Sequence, residues 1–217
     1  DGQTVIKATF DEASAVLGQD LWAMIKGEHA ETINETVNTQ PLMLAAGIAT
    51  YRAYLEAGGK EPSVMAGHSL GEYTALVVAG SLSFVDALKL VRLRAELMQS
   101  AVPQGTGSMA AILGLDDDAV RAVCAEAAQG EVVEAVNFNS PGQVVIAGSI
   151  AAVERAIETA KAKGAKRALP LPVSVPSHCL MMKPAAEKLA EALKAVDIQP
   201  PKIPVIHNAD VASYNTA

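Results

Sequence analysis

Apolar positions recur along this chain at two periods, one helical and one alternating. Phe10, Ala13, Val16 and Leu17 fall at helical spacing and Gly18 closes the run, which predicts a helix over 7–18. A short helix over 21–25 follows. Beyond the polar run 27–40, whose His29 reads as solvated, a longer helix is expected over 41–57, opened by Pro41 and stopped by Gly58 and Gly59. Gln40, just ahead of it, reads as a helix-start hydrogen-bonding residue, with a role in an active site as the alternative. An apolar run from Ser63 then passes through Gly67-His68-Ser69-Leu70-Gly71 into a second helical pattern ending at Gly80, the form of a strand, a sharp turn and a helix.

Ser83, with Asp86 three residues on, has the spacing of a capping box and opens the next helix. Phe84, Ala87, Leu88, Val91, Ala95 and Met98 form its apolar stripe, and Lys89, Arg92 and Glu96 mark the solvated face. From Gly107 the pattern reads strand (107–115), helix (116–130), strand (131–139), turn (140–142), strand (143–148), helix (150–164) and strand (165–175). That is the ferredoxin-like order β-α-β-β-α-β. The expected architecture is therefore α/β: a large parallel-sheet domain over 1–106 and 175–217, with a ferredoxin-like subdomain inserted over 107–174.

Chemistry enters at the sharp turn. Glycines on either side of Ser69 remove Cβ atoms that would collide in a strained elbow, and the helix that follows offers unpaired N–H groups to a developing oxyanion. Ser69 reads as an acyl nucleophile. Arg94 falls on the apolar side of its helix, near Leu90, Val91, Leu97 and Met98, so its guanidinium needs a partner. Either it snorkels or meets a structural carboxylate, or it waits as a fork for a substrate carboxylate. His178 stands in a loop at the junction with the last helix, a suitable place for a base, and His207 is its rival. Cys124 and Cys179 read as packing residues.

Composition narrows the class. The chain has 217 residues, of which 50% are apolar and 4% aromatic, which suits helices on a largely parallel sheet. A net charge of −7 excludes a general nucleic-acid binder. No apolar run is long enough to span a bilayer, and the start lacks the form of a signal peptide, so a cytoplasmic protein without membrane attachment is expected. The two cysteines indicate reduced thiols, and no metal site or cofactor motif is expected.

Four segments, GHSLGEY, LVRLRAELM, AVNFNSPGQVVIAG and LPVSVPSHCLMMKPA, together resemble the malonyl-CoA:acyl carrier protein transacylases of bacterial type II fatty acid synthesis. The resemblance runs over essentially the whole chain. It implies a hydrolase-like α/β domain carrying a ferredoxin-like insertion, malonyl-CoA and acyl carrier protein as partners, and a monomer that needs no cofactor. The family's nucleophile falls on Ser69, its general base on His178 and its carboxylate-binding arginine on Arg94. Leu70 matches the position whose N–H forms half the oxyanion hole. Asn139 and His68 match residues near the family's active site, and Ser177 bears on selectivity for malonyl over methylmalonyl. His207 falls where the family more often has asparagine, which weakens it as the base.

The family also has a GQGSQ-type loop before the point where this chain begins, and an NPVQW-type segment beyond the point where it stops. On this comparison the second oxyanion donor and the group that orients the histidine are expected to lie outside the chain. Two other readings stay open. One is a serine thioesterase or hydrolase using the same elbow. The other is a trimmed, inactive domain that only binds carrier protein. For the latter, the basic cluster Lys161, Lys163, Lys166 and Arg167 is either a docking site or a solvated helix face.

Overall fold

A computed structural model describes residues 2–28, 30–173 and 175–216, with the side chains of Gly2, Gln3 and Ala30 left aside. His29, expected to be solvated, and Ser174, the expected end of the insertion, lie outside the described residues. The chain divides into two units, 1–95 with 189–217 and 96–188.

In the first unit, helices α1 (Gly2–Leu17), α2 (Leu21–Ile25) and α3 (Thr36–Glu56) precede strand β1 (Met65–Ala66), and helix α4 (Gly71–Val78) follows it. Helix α5 (Phe84–Ser100) comes next and runs on past the boundary of the unit. The expected stops hold: Gly18 and Gly80 take φ of +64° and +76°, which glycine adopts without penalty. Ser83 caps α5 as expected, the Asp86 N–H donating to Ser83 Oγ at 3.0 Å, while the Asp86 side chain accepts at Oδ2 from the Ser83 hydroxyl at 2.6 Å. The whole predicted stripe of α5 is buried. The main core joins Phe10, Leu21, Leu44, Ile48, Leu88 and Val91, and Trp22 lies against it with its ring centroid 5.7 Å from that of Phe10.

Several local expectations change, the first being that α1 opens at Gly2 and not at Lys7. Helix α3 begins at Thr36, so Pro41 lies inside it and Gln40 is not at its start. The strand before the elbow shrinks to two residues, paired in parallel with β6 (Val205–Ile206) in the register Met65↔Val205 and Ala66↔Ile206. Arg92 is half-buried, because its guanidinium donates to Gln19 Oε1, and Gln19 in turn donates to Asn38 Oδ1 at 3.0 Å.

The second unit contains strands β2 (Gly107–Leu113), β3 (Val133–Ser140), β4 (Gln143–Ser149) and β5 (Arg167–Pro170), with helices α6 (Asp117–Ala128) and α7 (Ile150–Ala162). The strands form one antiparallel sheet in the order β3-β4-β2-β5, the order expected when β-α-β-β-α-β is wound as a ferredoxin-like unit. Both helices place small and β-branched residues on the sheet, among them Val120, Val123 and Cys124 from α6 and Val153, Ala156 and Ile157 from α7. This compact unit reaches beyond 107–174 because Met98 clusters with Val175, Met182 and Ala185, the last being in helix α8 (Lys183–Leu193). Within the basic cluster, Lys161 pairs with Glu158 at 2.8 Å and Lys163 with Glu126 at 2.6 Å.

Candidate active site

The elbow is set by a close backbone approach. A Cβ on Gly67 would stand 2.0 Å from the Gly71 carbonyl carbon and 2.3 Å from the Glu72 nitrogen, so any side chain there would push the strand off the first turn of α4. A Cβ on Gly71 meets nothing within 4 Å. Only the first of the two flanking glycines is therefore demanded by space, which corrects the symmetrical reading of the motif. Between them Ser69 takes φ of +52°, the left-handed region that a residue with a Cβ rarely enters.

The N–H groups around Ser69 have distinct fates. That of Ser69 donates to Asn208 Oδ1 at 2.8 Å. Those of Gly71, Glu72 and Tyr73 donate to the carbonyls of His68, Ser69 and Leu70 at 2.9, 3.2 and 3.0 Å. The Leu70 N–H donates to no protein acceptor among the described residues. Leu70 is thus the elbow residue whose backbone could meet a developing oxyanion.

Arg94 reaches this serine from α5. Its Nη2 donates to Ser69 Oγ at 3.0 Å and its Nη1 to Gln40 Oε1 at 2.6 Å, with Tyr73 beneath the guanidinium at 5.9 Å. Among the described residues Arg94 makes no ion pair, so its partners are neutral groups. Burial pushes its pKa down, and Tyr73 opposes that shift. The Tyr73 phenol is pushed up by burial, with Arg94 pulling it back. A half-buried cation without a carboxylate, beside a hydroxyl on a strained turn, is suited to an acyl group that carries its own carboxylate.

Gln40 is 5% exposed and also donates from Nε2 to Thr36 Oγ1 at 2.9 Å, so it holds the guanidinium while anchored in its own helix. The helix-start reading missed this because Pro41 resembles a helix opening. The i, i+4 pair of Thr36 and Gln40 was the available signal.

A second group lies beside the elbow. Glu72, in the first turn of α4, accepts from His207 Nδ1 at 2.8 Å and from the Asn208 N–H at 2.7 Å. The His207 ring also faces Tyr214, with centroids 5.5 Å apart. One nitrogen of the rival base is therefore committed to a carboxylate. Neither Glu72 nor Asn208 carried a signal in the sequence.

His68, Ser69, Leu70 and Arg94 all belong to the first unit; His178, Ser177 and Asn139 belong to the second. His178 is exposed at φ of +68°, between Ser177, whose N–H donates to Val175 O at 3.0 Å, and Cys179, whose thiol donates to Pro176 O at 3.2 Å. The next N–H, of Leu180, donates to Glu134 Oε2 at 2.6 Å and opens the 3-10 helix Leu180–Met182. Asn139 is exposed where the β3–β4 register shifts between Phe138 and Ser140. His68 is exposed on the elbow itself. Among the described residues no cluster of His, Cys, Asp and Glu could hold a metal ion.

The comparisons with known proteins agree on one family. A family model described as the acyl transferase domain matches residues 3–215. Malonyl CoA-acyl carrier protein transacylase of Escherichia coli K12 is 59% identical over 207 residues, covering 95% of this chain and 67% of that protein. Acyl-carrier-protein S-malonyltransferase from Burkholderia pseudomallei superposes with a TM-score of 0.95 at 61% identity, covering 98% of this chain and 69% of that one. A malonyl-transacylase solved in complex with a type II PKS acyl-carrier protein gives a TM-score of 0.96 at 56% identity, with coverage of 98% and 69%. The chain spans about two thirds of the length of these relatives. With the match extending over nearly every residue, the chain belongs to the acyl transferase domain family.

Proposed function

We propose that this chain transfers the malonyl group of malonyl-CoA to the pantetheine thiol of acyl carrier protein, through an ester on Ser69. In the first half, His178 accepts the hydroxyl proton as Ser69 Oγ bonds to the thioester carbon. The carbonyl electron pair moves onto oxygen, where the Leu70 N–H receives it. Collapse of this intermediate expels the CoA sulfur, which takes the proton from His178. In the second half the pantetheine thiol follows the same path in reverse roles, freeing Ser69. Arg94 pairs with the malonyl carboxylate throughout, and leaving that cation unpaired with an acetyl group costs on the order of 2–5 kcal/mol.

The observation that carries this reading is the Arg94 guanidinium 3.0 Å from Ser69 Oγ, held by Gln40. In its terms 1–106 and 175–217 form the catalytic domain, 107–174 the inserted subdomain, and Ser177, Asn139 and His68 are assigned to substrate binding. The reading includes a monomeric, cytoplasmic protein without a cofactor. No helix among the described residues is long and apolar enough to cross a membrane.

Intact-mass analysis after incubation with malonyl-CoA or acetyl-CoA tests it. The native sequence should gain a malonyl adduct in preference to an acetyl one, Arg94→Ala should lose that preference, and Ser69→Ala should gain neither. An adduct that persists in Ser69→Ala, or unchanged malonyl preference in Arg94→Ala, overturns the assignment. Release of free malonate with no transfer to pantetheine would make the chain a hydrolase instead.

A further inference from the structure

A left-handed φ is unfavourable at a serine and persists only where neighbouring groups hold it. Around Ser69 those groups form a closed circuit of three residues. The Ser69 N–H donates to the side chain of Asn208 at 2.8 Å, the Asn208 N–H donates to the side chain of Glu72 at 2.7 Å, and the Glu72 N–H donates back to the Ser69 carbonyl at 3.2 Å. The bond from Ser69 to Asn208 spans 139 residues, and it forms because β1 and β6 are parallel. With Ala66 opposite Ile206, the residues after each strand leave the sheet at the same end.

The segment carrying Asn208 is itself fixed. The His207 N–H donates to Ala212 O at 2.8 Å, the Val211 N–H returns to His207 O at 3.0 Å, and His207 Nδ1 is held by the other oxygen of Glu72 at 2.8 Å. Glu72 therefore fastens this loop to α4 through both carboxylate oxygens, and Asn208 passes that constraint to the backbone of the serine.

We propose that Asn208 and Glu72 are positioning residues that lock the nucleophile elbow, fixing Ser69 in its left-handed conformation and leaving Leu70 as the elbow's free N–H donor. The inference rests on the reading of Ser69 as the acylated nucleophile. Neither residue need touch substrate, so their removal should lower turnover without weakening substrate binding.

The test uses the chain with Asn208→Ala, Asn208→Asp and Glu72→Gln, read by malonyl transfer kinetics, by hydrogen exchange of the Ser69 amide and by thermal unfolding. Losing one hydrogen bond to the elbow should lower kcat about 10-fold in Asn208→Ala with the KM for malonyl-CoA within about 2-fold, and should speed exchange of the Ser69 amide by a similar factor. Asn208→Asp retains an acceptor and should recover most of both. Glu72→Gln keeps one acceptor and should fall between them. Unchanged Ser69 amide exchange in Asn208→Ala overturns the inference, and so does a loss confined to KM or one that only follows the fall in Tm. If the native sequence forms no malonyl ester, the functional reading fails on its own, and amide exchange still decides whether Asn208 holds the elbow.

Discussion

Gly67 and Gly71 flank the same serine but answer to different demands. The missing Cβ of Gly67 lets the strand lie on the first turn of α4, whereas Gly71 faces open space. Gly67→Ala should therefore destabilise the chain by about 3 kcal/mol or more, since the obstructing atoms are backbone that cannot rotate away, and Gly71→Ala should be nearly neutral. Thermal unfolding of the two variants side by side checks this, and equal losses would refute it. Arg94 shows how far residue-scale reading reached. Its helical spacing among apolar neighbours announced a cation in need of a partner, and its partners are Gln40 and Ser69. The identity of those partners was not legible, because hydrogen bonds between residues 25 and 54 positions apart leave no trace in local spacing.

Elements with their own local signals were read well. Helix α5 begins where Ser83 and Asp86 said it would, and buries the stripe its periodicity defined. Ser83→Ala should remove that cap and cost about 1 kcal/mol, lowering Tm by roughly 2–4 °C in a chain of this size. No change in Tm would mean the exposed bond contributes nothing. Helix α3 was misjudged at its start, because a proline at an expected first position looks the same as one accommodated inside a helix that opened earlier. Strands β1 and β6 span two residues each, too short for any alternation to register, although their parallel pairing brings Asn208 to the elbow. The order of elements in the inserted unit was legible, since each is joined to the next by a short turn, although β5 closes at Pro170, well before the end of the strand expected over 165–175.

For the molecule as a whole, the sequence order β-α-β-β-α-β determined the sheet order of the second unit, and the elbow motif with its following helix anticipated the heart of the first. Both cysteines belong to the second unit and are buried; burial raises both thiols, that of Cys124 to about 12. The folded chain thus favours the protonated thiol of Cys124. Its contribution to stability is full below the ordinary thiol value of 9.0 and declines as pH rises from there toward about 12. Reaction with a thiol-specific chromogenic reagent near neutral pH should be slow for the native chain and rapid for both cysteines in denaturant; fast native labelling would contradict their burial. The single tryptophan, Trp22, lies instead on the core of the first unit beside Phe10. The chain therefore carries two native reporters: indole emission follows melting of the unit that holds the elbow, and access of such a reagent to the thiols follows melting of the second unit.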